Sequence, residues 1–555
     1  MLPYGAMRLR ASAHGSALTE IVAAFAAALA LAALLTWPLV IRIDRASRLD
    51  NGDALWGIWA ISWVARTLVV DPADVFDANI FHPHRGTLAV SEHFLLEGAL
   101  AIPVYWATRN PILVYNVILL LALSVSAVGA YFLARRLCGD RLAAAAGAIA
   151  FAASPYMMAR LANIHLMMAW GFPFGLLALH RFVERRTIAR GAAIGIVIVL
   201  QGLATGYYGL FLGVTIGFGA IYYCATRRLW RDPWYWTGLT AGAAVALVLT
   251  LPVMIPYLQI QRAQRLQRTL EQAALYSADW RAYLASPARA HAWLVRLLGR
   301  WNEVLFPGFL TTALAFVGGR AWYRRVEARD TLLFYVILAA LALWASFGPA
   351  AGLYSFLYEI IPLFSFLRAP ARFGVLVILA LSMLAACGVA QLLVSPRRSW
   401  RVAARAVCAA LILELVAIPL RLPVAQATPA PYTRLASLPR GAVICLPFFT
   451  EASGYHRHTL YMFYSAYHWQ PLVNGYSDYF PEDFKPNADR LAGFPSMESF
   501  EILRKKRARY VVVHTNLYNA AGRRRLQEGL SRYRAYLRPL VSDGDVGLYE
   551  LVGFP

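Results

Sequence analysis

Two aspartates at the start of a predicted helix are the first residues that could do chemistry. Asp50 and Asp53 precede a stretch in which Trp56, Trp59 and Trp63 recur at helical spacing. Tryptophan favours the boundary between water and lipid, so this stretch predicts an interfacial helix that begins just after Asp53. A carboxylate at this point can cap the helix, because aspartate is a favoured N-cap residue. It can equally take part in catalysis, and the residues alone leave both roles open.

Two arginines in the segment Leu367–Phe373 form a second candidate site. Arg368 and Arg372 are four residues apart and flank Pro370, just before an apolar run. A guanidinium group presents a planar fork of donors that matches phosphate oxygens, and its charge does not titrate away. The alternative is that both side chains extend to anionic lipid headgroups. Because arginine is otherwise sparse in the short loops of the predicted outer side, phosphate binding is the favoured role.

Four further side chains are possible substrate contacts. His93 and His165 could contact a sugar or a phosphate, although a histidine near a membrane boundary is more often a structural hydrogen-bonding group. Tyr207 and Tyr208 could stack on a sugar ring, although anchoring at the membrane interface is the commoner role. Each of these four residues is therefore a weaker candidate than the aspartates and arginines.

A metal or nucleotide cofactor is not favoured. His82 and His84, with Asp77, could ligate a metal, but two histidines around a proline are a weak signal. No Asp-x-Asp pair occurs in residues 42–111. The sequence has neither a Walker loop nor a Gly-x-Gly-x-x-Gly motif. We therefore expect no cofactor, although a divalent metal stays possible.

The composition shows what kind of framework must position these residues. Of the 555 residues, 59% are apolar and 15% are charged, and the mean hydropathy is +0.51. A soluble globular chain carries about 25% charged residues, so the sequence indicates a polytopic membrane protein with a modest soluble domain. About eleven apolar runs are long enough to cross a bilayer. They lie near residues 20–41, 112–134, 142–158, 165–182, 190–206, 207–226, 235–257, 304–319, 331–347, 372–394 and 402–420.

Arginine is distributed unevenly between the apolar runs. The chain has 53 Lys and Arg residues, and its formal net charge is +23. Six segments on one side of the predicted bundle, including the N-terminal segment, hold 20 of the arginines. The positive-inside rule places this side and the N-terminus in the cytoplasm, and an odd number of spans then places the C-terminus outside. Orientation in the bilayer explains the excess of arginine better than nucleic-acid binding does.

The last part of the chain differs from the rest, because a proline-rich linker at 422–431 is followed by short apolar strands and intervening helices. Strands that alternate with helices predict a small α/β domain. The predicted strands lie at 441–446, 510–514 and 546–551, and the predicted helices lie around 497–507 and 523–536.

These patterns define a domain organisation. We expect a helical membrane domain over residues 1–420, with long outer loops at 42–111 and 258–303. We expect an extracytoplasmic α/β domain over residues 421–555.

Several short patterns occur in order along the chain. Together they resemble the GT-C superfamily of integral membrane glycosyltransferases, in the bacterial branch that is similar to protein mannosyltransferases. The residues that carry the resemblance are Asp53, Asp77–Pro83, Glu92-His93, Ser154-Pro-Tyr156 with His165, Gly206-Tyr-Tyr-Gly209, Leu367-Arg-Ala-Pro-Ala-Arg-Phe373, and Tyr461 and His468 with Pro471–Gly475.

The resemblance implies an inverting glycosyltransferase of the bacterial inner membrane that serves the cell envelope. It would move a sugar from a polyprenyl-phosphate-linked donor to a glycan, lipid or protein acceptor on the extracytoplasmic side. It implies Asp53 as the catalytic base, with Asp50 in reserve. Arg368 and Arg372 would then bind the phosphate of the donor. The expected partners are membrane lipids, the lipid-linked donor and the acceptor, without nucleic acid.

Two other functions are compatible with the sequence. A transporter or flippase for a lipid-linked glycan would place ionisable residues within the membrane, and Glu414 is such a residue in a predicted span. A non-catalytic membrane assembly factor would keep the bundle and use the C-terminal tail to bind partners, because a fold alone does not guarantee an activity.

Overall fold

The computed structural model describes residues 13–264, 267–299 and 303–553. These residues are mostly helical, with a small sheet near the C-terminus, so the predicted fold class is confirmed. Most of the predicted cytoplasmic N-terminal segment, residues 1–12, lies outside the described residues.

The helices vary from single turns to more than 30 residues. In chain order they are α1 (Ala13–Leu35), α2 (Gly52–Val70), α3 (Leu95–Thr108), α4 (Pro111–Cys138), α5 (Arg141–Ala152), α6 (Pro155–Ala159), α7 (Ile164–Met167), α8 (Gly171–Glu184), α9 (Ile188–Ala204), α10 (Gly206–Thr226), α11 (Pro233–Gln264), α12 (Leu270–Leu275), α13 (Ala292–Leu298), α14 (Phe309–Tyr323), α15 (Val326–Ser346), α16 (Leu353–Ile360), α17 (Gly374–Leu393), α18 (Arg398–Leu415), α19 (Ala430–Ser437), α20 (Thr459–Ser465), α21 (Phe484–Ala492), α22 (Met497–Lys505) and α23 (Ala520–Arg532).

Each predicted apolar run coincides with one helix or with two consecutive helices. Within the described ranges, nine helical segments are long and apolar enough to cross a membrane, and eight of them match predicted runs. The ninth is α2, which the sequence assigns to an outer loop. The first run was predicted to reach residue 41, but α1 ends at Leu35. Pro38 follows closely, and proline cannot donate the hydrogen bond that would continue a helix.

The chain divides into two compact units. Unit 1 comprises the chain up to Ile41, Leu119–Ile255 and Gln261–Arg421. Unit 2 comprises Arg42–Ile118, Pro256–Ile260 and the chain from Leu422 onward. The first outer loop, which the sequence groups with the membrane domain, therefore lies in the same unit as the C-terminal tail.

Unit 1 contains a close helix pair between α14 and α17. A Cβ atom added at Gly318 would overlap the carbonyl oxygen of Leu384, and one added at Gly388 would overlap the carbonyl oxygen of Leu314. Small residues let two helix backbones approach closely, which is a common way to join helices within a membrane. This contact fixes the helix that follows the Leu367–Phe373 segment.

Glu414, the ionisable residue singled out within a predicted span, has a structural role in unit 1. Its carboxylate accepts hydrogen bonds from the backbone N–H groups of Phe309 at 2.5 Å and Leu310 at 3.0 Å. A carboxylate at this place satisfies free N–H groups and interacts favourably with the positive end of α14. The ring of His291 lies 3.1 Å away. The residue therefore holds together the start of α14, and this arrangement gives no support for a transport pathway.

Unit 2 contains a four-stranded sheet with the order β1-β2-β4-β3. The strands are β1 (Ala442–Leu446), β2 (Ala508–His514), β3 (Leu537–Asp543) and β4 (Val546–Leu551). β1 pairs with β2 in parallel, and the other two pairs are antiparallel. The strands predicted at 441–446, 510–514 and 546–551 are present. β3 was not predicted, because it contains Pro539, which a strand tolerates at the edge of a sheet.

The tryptophans of α2 are buried inside unit 2, so the prediction that they form an interfacial stripe is wrong. Trp59 is fully buried, and its indole N–H donates to the side chain of Asn79 at 2.9 Å. The indole N–H of Trp63 donates to the carbonyl of Val75 at 2.9 Å. A buried indole needs such a partner. The apolar surroundings of these tryptophans, and the hydrogen-bond acceptors of their indole N–H groups, therefore come from the protein. The sequence pattern had predicted that a lipid boundary would provide them.

Glu97 in α3 is a fully buried carboxyl group. Neither of its carboxylate oxygens has a hydrogen-bond partner in another described residue. Burial raises the pKa of this carboxyl well above its usual range, and the nearby Glu92 adds a smaller effect in the same direction. An acid that keeps its proton in the folded state makes the folded state less stable as the pH rises.

We predict that Glu97→Gln increases the thermal stability of the purified protein at neutral pH. Below the unfolded-state pKa of about 4.3 both states are protonated, so the variant gains little. Above it, wild type loses about 1.4 kcal/mol per pH unit until the folded-state pKa is reached. Unfolding midpoints in one detergent at pH 5 and pH 7.5 measure this difference. The exposed substitution Glu528→Gln is the control, and an equal pH dependence for wild type and Glu97→Gln would contradict the assignment.

Candidate active site

The segment with the two candidate arginines is held by a tyrosine in unit 1. The hydroxyl of Tyr207, in the first turn of α10, accepts a hydrogen bond from the backbone N–H of Arg368 at 2.8 Å. The guanidinium of Arg372 lies 4.1 Å from the centre of the Tyr207 ring. A cation over an aromatic face is attracted to the negative charge of the ring. Tyr207 thus positions both arginines, and its ring face is occupied by a guanidinium.

A second tyrosine contacts the other arginine. The guanidinium of Arg368 lies 5.0 Å from the ring centre of Tyr276, and the carbonyl of Tyr276 accepts from the backbone N–H of Ala371 at 3.2 Å. Tyr276 lies just after α12, in the second predicted outer loop. Each arginine therefore lies against an aromatic ring, which helps to orient its guanidinium group.

A third arginine, which the sequence reasoning missed, belongs to the same region of unit 1. Arg160 forms an ion pair with Glu303, and their side chains are only 19% and 10% exposed. Its guanidinium lies 5.3 Å from the ring centre of Tyr156. Its Nε atom is buried and has no hydrogen-bond partner among the described residues. A buried donor of this kind needs a partner, and a bound oxoanion would supply one.

Tyr156 and Tyr208 form a hydrogen-bonded pair next to these arginines. Their hydroxyl oxygens are 2.5 Å apart, and the hydroxyl of Tyr208 donates to the carbonyl of Leu166 at 3.3 Å. Both side chains are fully buried. Tyr208 is therefore enclosed by protein atoms, and its contact with a sugar stays a prediction.

His165 is also brought to this region. It lies in α7 and is 6% exposed. Both Arg160 and Arg372 are close enough to interact electrostatically with its ring. We call the three arginines, the residues that hold them and His165 the arginine–tyrosine cluster. Its members are Tyr156, Arg160, His165, Tyr207, Tyr276, Glu303, Arg368 and Arg372.

The other candidate group lies in unit 2, at the start of α2. Asn51, and neither aspartate, is the N-cap residue, because its side chain accepts from the N–H groups of Asp53 at 2.8 Å and Ala54 at 3.4 Å. The helix begins at Gly52, so Asp53 lies inside the first turn. Of the two roles that the sequence leaves open for an aspartate, the N-cap role thus belongs to Asn51. Asp53 is partly buried, and its carboxylate interacts electrostatically with the buried phenol of Tyr115.

The reserve candidate Asp50 has a different environment. Its carboxylate pairs with the guanidinium of Arg48 at 3.0 Å, and its side chain is 49% exposed. The preceding turn is fixed by Asn116, whose side-chain amide donates to the carbonyls of Ile43 and Ala46, both at 2.8 Å. The segment that leads into α2 is therefore held in place from α4.

The remaining predicted contacts in unit 2 have structural partners. His93 is 5% exposed, and its Nδ1 accepts from the backbone N–H of Leu95 at 3.2 Å, at the start of α3. His84 binds Asp483 at 2.8 Å, and Asp77 accepts from the backbone N–H of Gly86 at 2.6 Å. Within the part of the chain that the structure describes, no three His, Cys, Asp or Glu side chains come together as metal ligands would.

The apolar helices and the C-terminal sheet define a multi-pass membrane protein with a folded α/β portion. No family model matches the sequence, and no curated protein matches it closely enough to be counted. Two solved structures are similar over 96% of this chain.

One is the archaeal oligosaccharyltransferase AglB from Archaeoglobus fulgidus, in complex with an inhibitory peptide and a dolichol-phosphate. It is 13% identical to this chain with a TM-score of 0.49, and the match covers 74% of the AglB chain. The other is ArnT from Cupriavidus metallidurans in the apo state, with 15% identity, a TM-score of 0.49 and 98% of its chain covered.

We predict that replacing only one partner of the ion pair between Arg160 and Glu303 strongly destabilises the folded protein. Glu303→Gln leaves a buried guanidinium without its counter-ion, which should destabilise the protein by about 3–5 kcal/mol. Arg160→Gln should have a similar effect, and the double variant should lose less than either single variant. Thermal unfolding in one detergent measures all three.

The exposed pair of Arg45 and Asp44 is the control, because exposed pairs contribute little. Asp44→Asn should therefore leave the unfolding midpoint almost unchanged. Additive losses in the Arg160 and Glu303 double variant would show that the two side chains are not coupled.

Proposed function

We propose that this protein is an inverting glycosyltransferase that takes a sugar from a polyprenyl-phosphate-linked donor. The arginine–tyrosine cluster carries this proposal. It places three guanidinium groups beside long apolar helices and leaves one buried Nε without a partner among the described residues. A phosphate on a polyprenyl chain combines the oxoanion and the apolar tail that such surroundings suit. The motif resemblance supplies the reaction class.

The arginines would stabilise the leaving group. Negative charge grows on the phosphate as its bond to the sugar breaks, so preorganised cations favour the transition state over the bound donor. Arg368 and Arg372 are the first candidates, because tyrosine rings hold both of them. Arg160 shares its charge with Glu303 and would add a weaker interaction.

Asp53 would act as the general base. A sugar hydroxyl has too high a pKa to attack an anomeric carbon unaided, so a positioned carboxylate must take its proton during the attack. Such assistance contributes roughly 10²–10⁴ in rate. Because Asn51 supplies the cap of α2, the helix does not depend on the Asp53 carboxylate for that purpose. Attack from the face opposite the departing phosphate inverts the anomeric centre.

The finer parts of the proposal concern the location and the other components. The charge pattern favours the extracytoplasmic side of a bacterial inner membrane for the reaction and for the C-terminal portion. The acceptor would be a glycan, a lipid or a protein. Independence from a divalent metal rests on the missing Asp-x-Asp pair in residues 42–111, and transfer in the presence of excess EDTA tests it.

We predict that Asp53→Asn lowers sugar transfer by about 10²–10⁴ while the protein stays folded, because the amide cannot accept the proton. The measurement is consumption of labelled polyprenyl-phosphate sugars by the purified protein. Asp50→Asn is the matched control, since Asp50 is half exposed and paired with Arg48, and it should keep most of the activity. Equal activity of Asp53→Asn and wild type would remove Asp53 from the mechanism. A donor that crosses the membrane without being consumed would indicate a flippase.

We predict that Arg368→Gln and Arg372→Gln weaken the use of the donor more than the use of the acceptor. Loss of one charge-assisted bond costs about 1.5–3 kcal/mol, so kcat/KM for the donor should fall roughly 10–150-fold. Arg398→Gln, at an exposed position of α18, removes the same charge from unit 1 and should have little effect. An unchanged donor response in both cluster variants would leave these arginines with a structural role.

A further inference from the structure

Unit 2 carries a series of basic side chains that the proposed chemistry does not use. Arg66 on α2 interacts electrostatically with Arg109 and Arg440. His82 interacts with Arg440 and also with the cations that end α22. We call this group of neighbouring basic side chains the basic strip. Its members are Arg109, Arg66, Arg440, His82, Lys506 and Arg507.

Aromatic rings are interleaved with one end of the basic strip. The guanidinium of Arg109 lies 3.7 Å from the ring centre of Trp106 and 5.1 Å from that of Tyr105. The guanidinium of Arg66 lies 5.8 Å from the ring centre of Trp469, whose indole N–H donates to the hydroxyl of Tyr105 at 3.0 Å. Both tryptophans are partly exposed. The rings fix the guanidinium planes and leave their edges to a ligand.

The backbone is strained at three points of this surface. Arg109, Trp469 and Arg507 have φ values of 53°, 55° and 51°. They are three of the six non-glycine residues with positive φ among the described residues. This conformation suits glycine, and larger side chains adopt it only at a steric penalty. Arg109 is the C-cap residue of α3, and Arg507 directly follows the C-cap of α22, so both lie where a helix commonly ends in this conformation. Glycine would be easier to accommodate at each of these positions, yet two carry a guanidinium and the third carries an indole.

Among the described residues, Lys506 is the one member of the basic strip that forms an ion pair, and its partner is Asp483. No ion pair of the described residues includes Arg66, Arg109, Arg440 or Arg507. The nearby Asp483 is already engaged by His84 and Lys506, at 2.8 Å each. Burial and the surrounding cations lower the pKa of His82, which agrees with a concentration of positive charge there. Uncompensated cations on a folded surface favour an anionic ligand.

We propose that the basic strip binds a negatively charged glycan chain. The guanidinium edges would bind its carboxylate, phosphate or sulfate groups, and the indole faces would pack against its sugar rings. A polyanion matches several neighbouring cations, and clustered Lys and Arg residues are a known pattern for such ligands. An assignment of this glycan as the acceptor rests on the proposed glycosyltransferase function. The binding itself does not.

Binding of fluorescent heparin oligosaccharides to the full chain in detergent tests the proposal, with oligogalacturonate as a carboxylated probe and dextran as a neutral one. The triple variant Arg66→Gln/Arg109→Gln/Arg440→Gln should weaken binding of both anionic probes about tenfold or more. It should also reduce the slope of log affinity against log salt concentration by about one per lost contact. Dextran should bind neither protein.

A matched control removes three exposed arginines from α23 of the same unit, as Arg523→Gln/Arg524→Gln/Arg525→Gln. It should change the affinity by less than about threefold, since it reduces only the overall positive electrostatic potential of unit 2. Equal losses in both triple variants would overturn the proposal in favour of a net-charge effect. Strip-dependent binding to phosphatidylglycerol vesicles without binding to the glycans would overturn it in favour of a membrane-surface site.

The exposed single variant Arg440→Glu covers the case in which the triple variant does not fold, and it should still weaken glycan binding severalfold. An unchanged affinity would contradict the proposal. No sugar transfer is needed for any of these measurements. Loss of binding with intact donor consumption, or the reverse, therefore separates a failure of this inference from a failure of the proposed function.

Discussion

A guanidinium group that is held away from water needs a counter-ion or an aromatic face, and unit 1 uses both. Arg160 has Glu303 as its counter-ion and Tyr156 as its aromatic contact. Arg368 and Arg372 rely on tyrosine rings. A ring attracts a cation without neutralising its charge. The functional account depends on the three guanidinium groups of the arginine–tyrosine cluster.

Unit 2 also contains arginines that lie against aromatic rings, but their surroundings differ from those in unit 1. Arg66 and Arg109 lie against tryptophan rings and have no acid partner among the described residues, but they are near the surface of the unit. Apolar helices surround the first group of arginines, whereas the second continues onto exposed positions such as Arg440. One arrangement suits a phosphate with an apolar chain, and the other suits a hydrophilic polyanion. Arginine supported by aromatic rings can thus serve two ligand classes within one chain.

The sequence predicts the helical framework well, because a long apolar run has few alternatives to a helix. The C-terminal strands follow from their short apolar runs, while β3 was missed because Pro539 interrupts its pattern. The tryptophan stripe of α2 was misplaced, since a buried face and an interfacial face share the same spacing. That the first outer loop joins the C-terminal tail in one unit depends on contacts distant in sequence, such as that of Asn79 with Ser465 at 3.3 Å.

Some residues of the candidate site could likewise be identified from the sequence, and others could not. Arg368 and Arg372 could be chosen from the sequence because they lie four residues apart beside an apolar run. Arg160 and Glu303 are 143 residues apart, so no local pattern pairs them. An isolated arginine between two apolar runs was the one available signal. Asp53 and Asn51 are close in sequence, yet only the direction of the Asn51 side chain decides which of them caps α2.

The most direct measurement compares two lipids that differ only in the phosphate. Binding of polyprenyl phosphate and of the matching polyprenol to the purified wild-type protein can be followed by the shift of its thermal unfolding midpoint. Ligand binding to the folded state raises that midpoint in proportion to the logarithm of ligand concentration over Kd. The account predicts stabilisation by the phosphate and little by the alcohol. Equal stabilisation by both lipids would contradict a phosphate site and leave only an apolar groove.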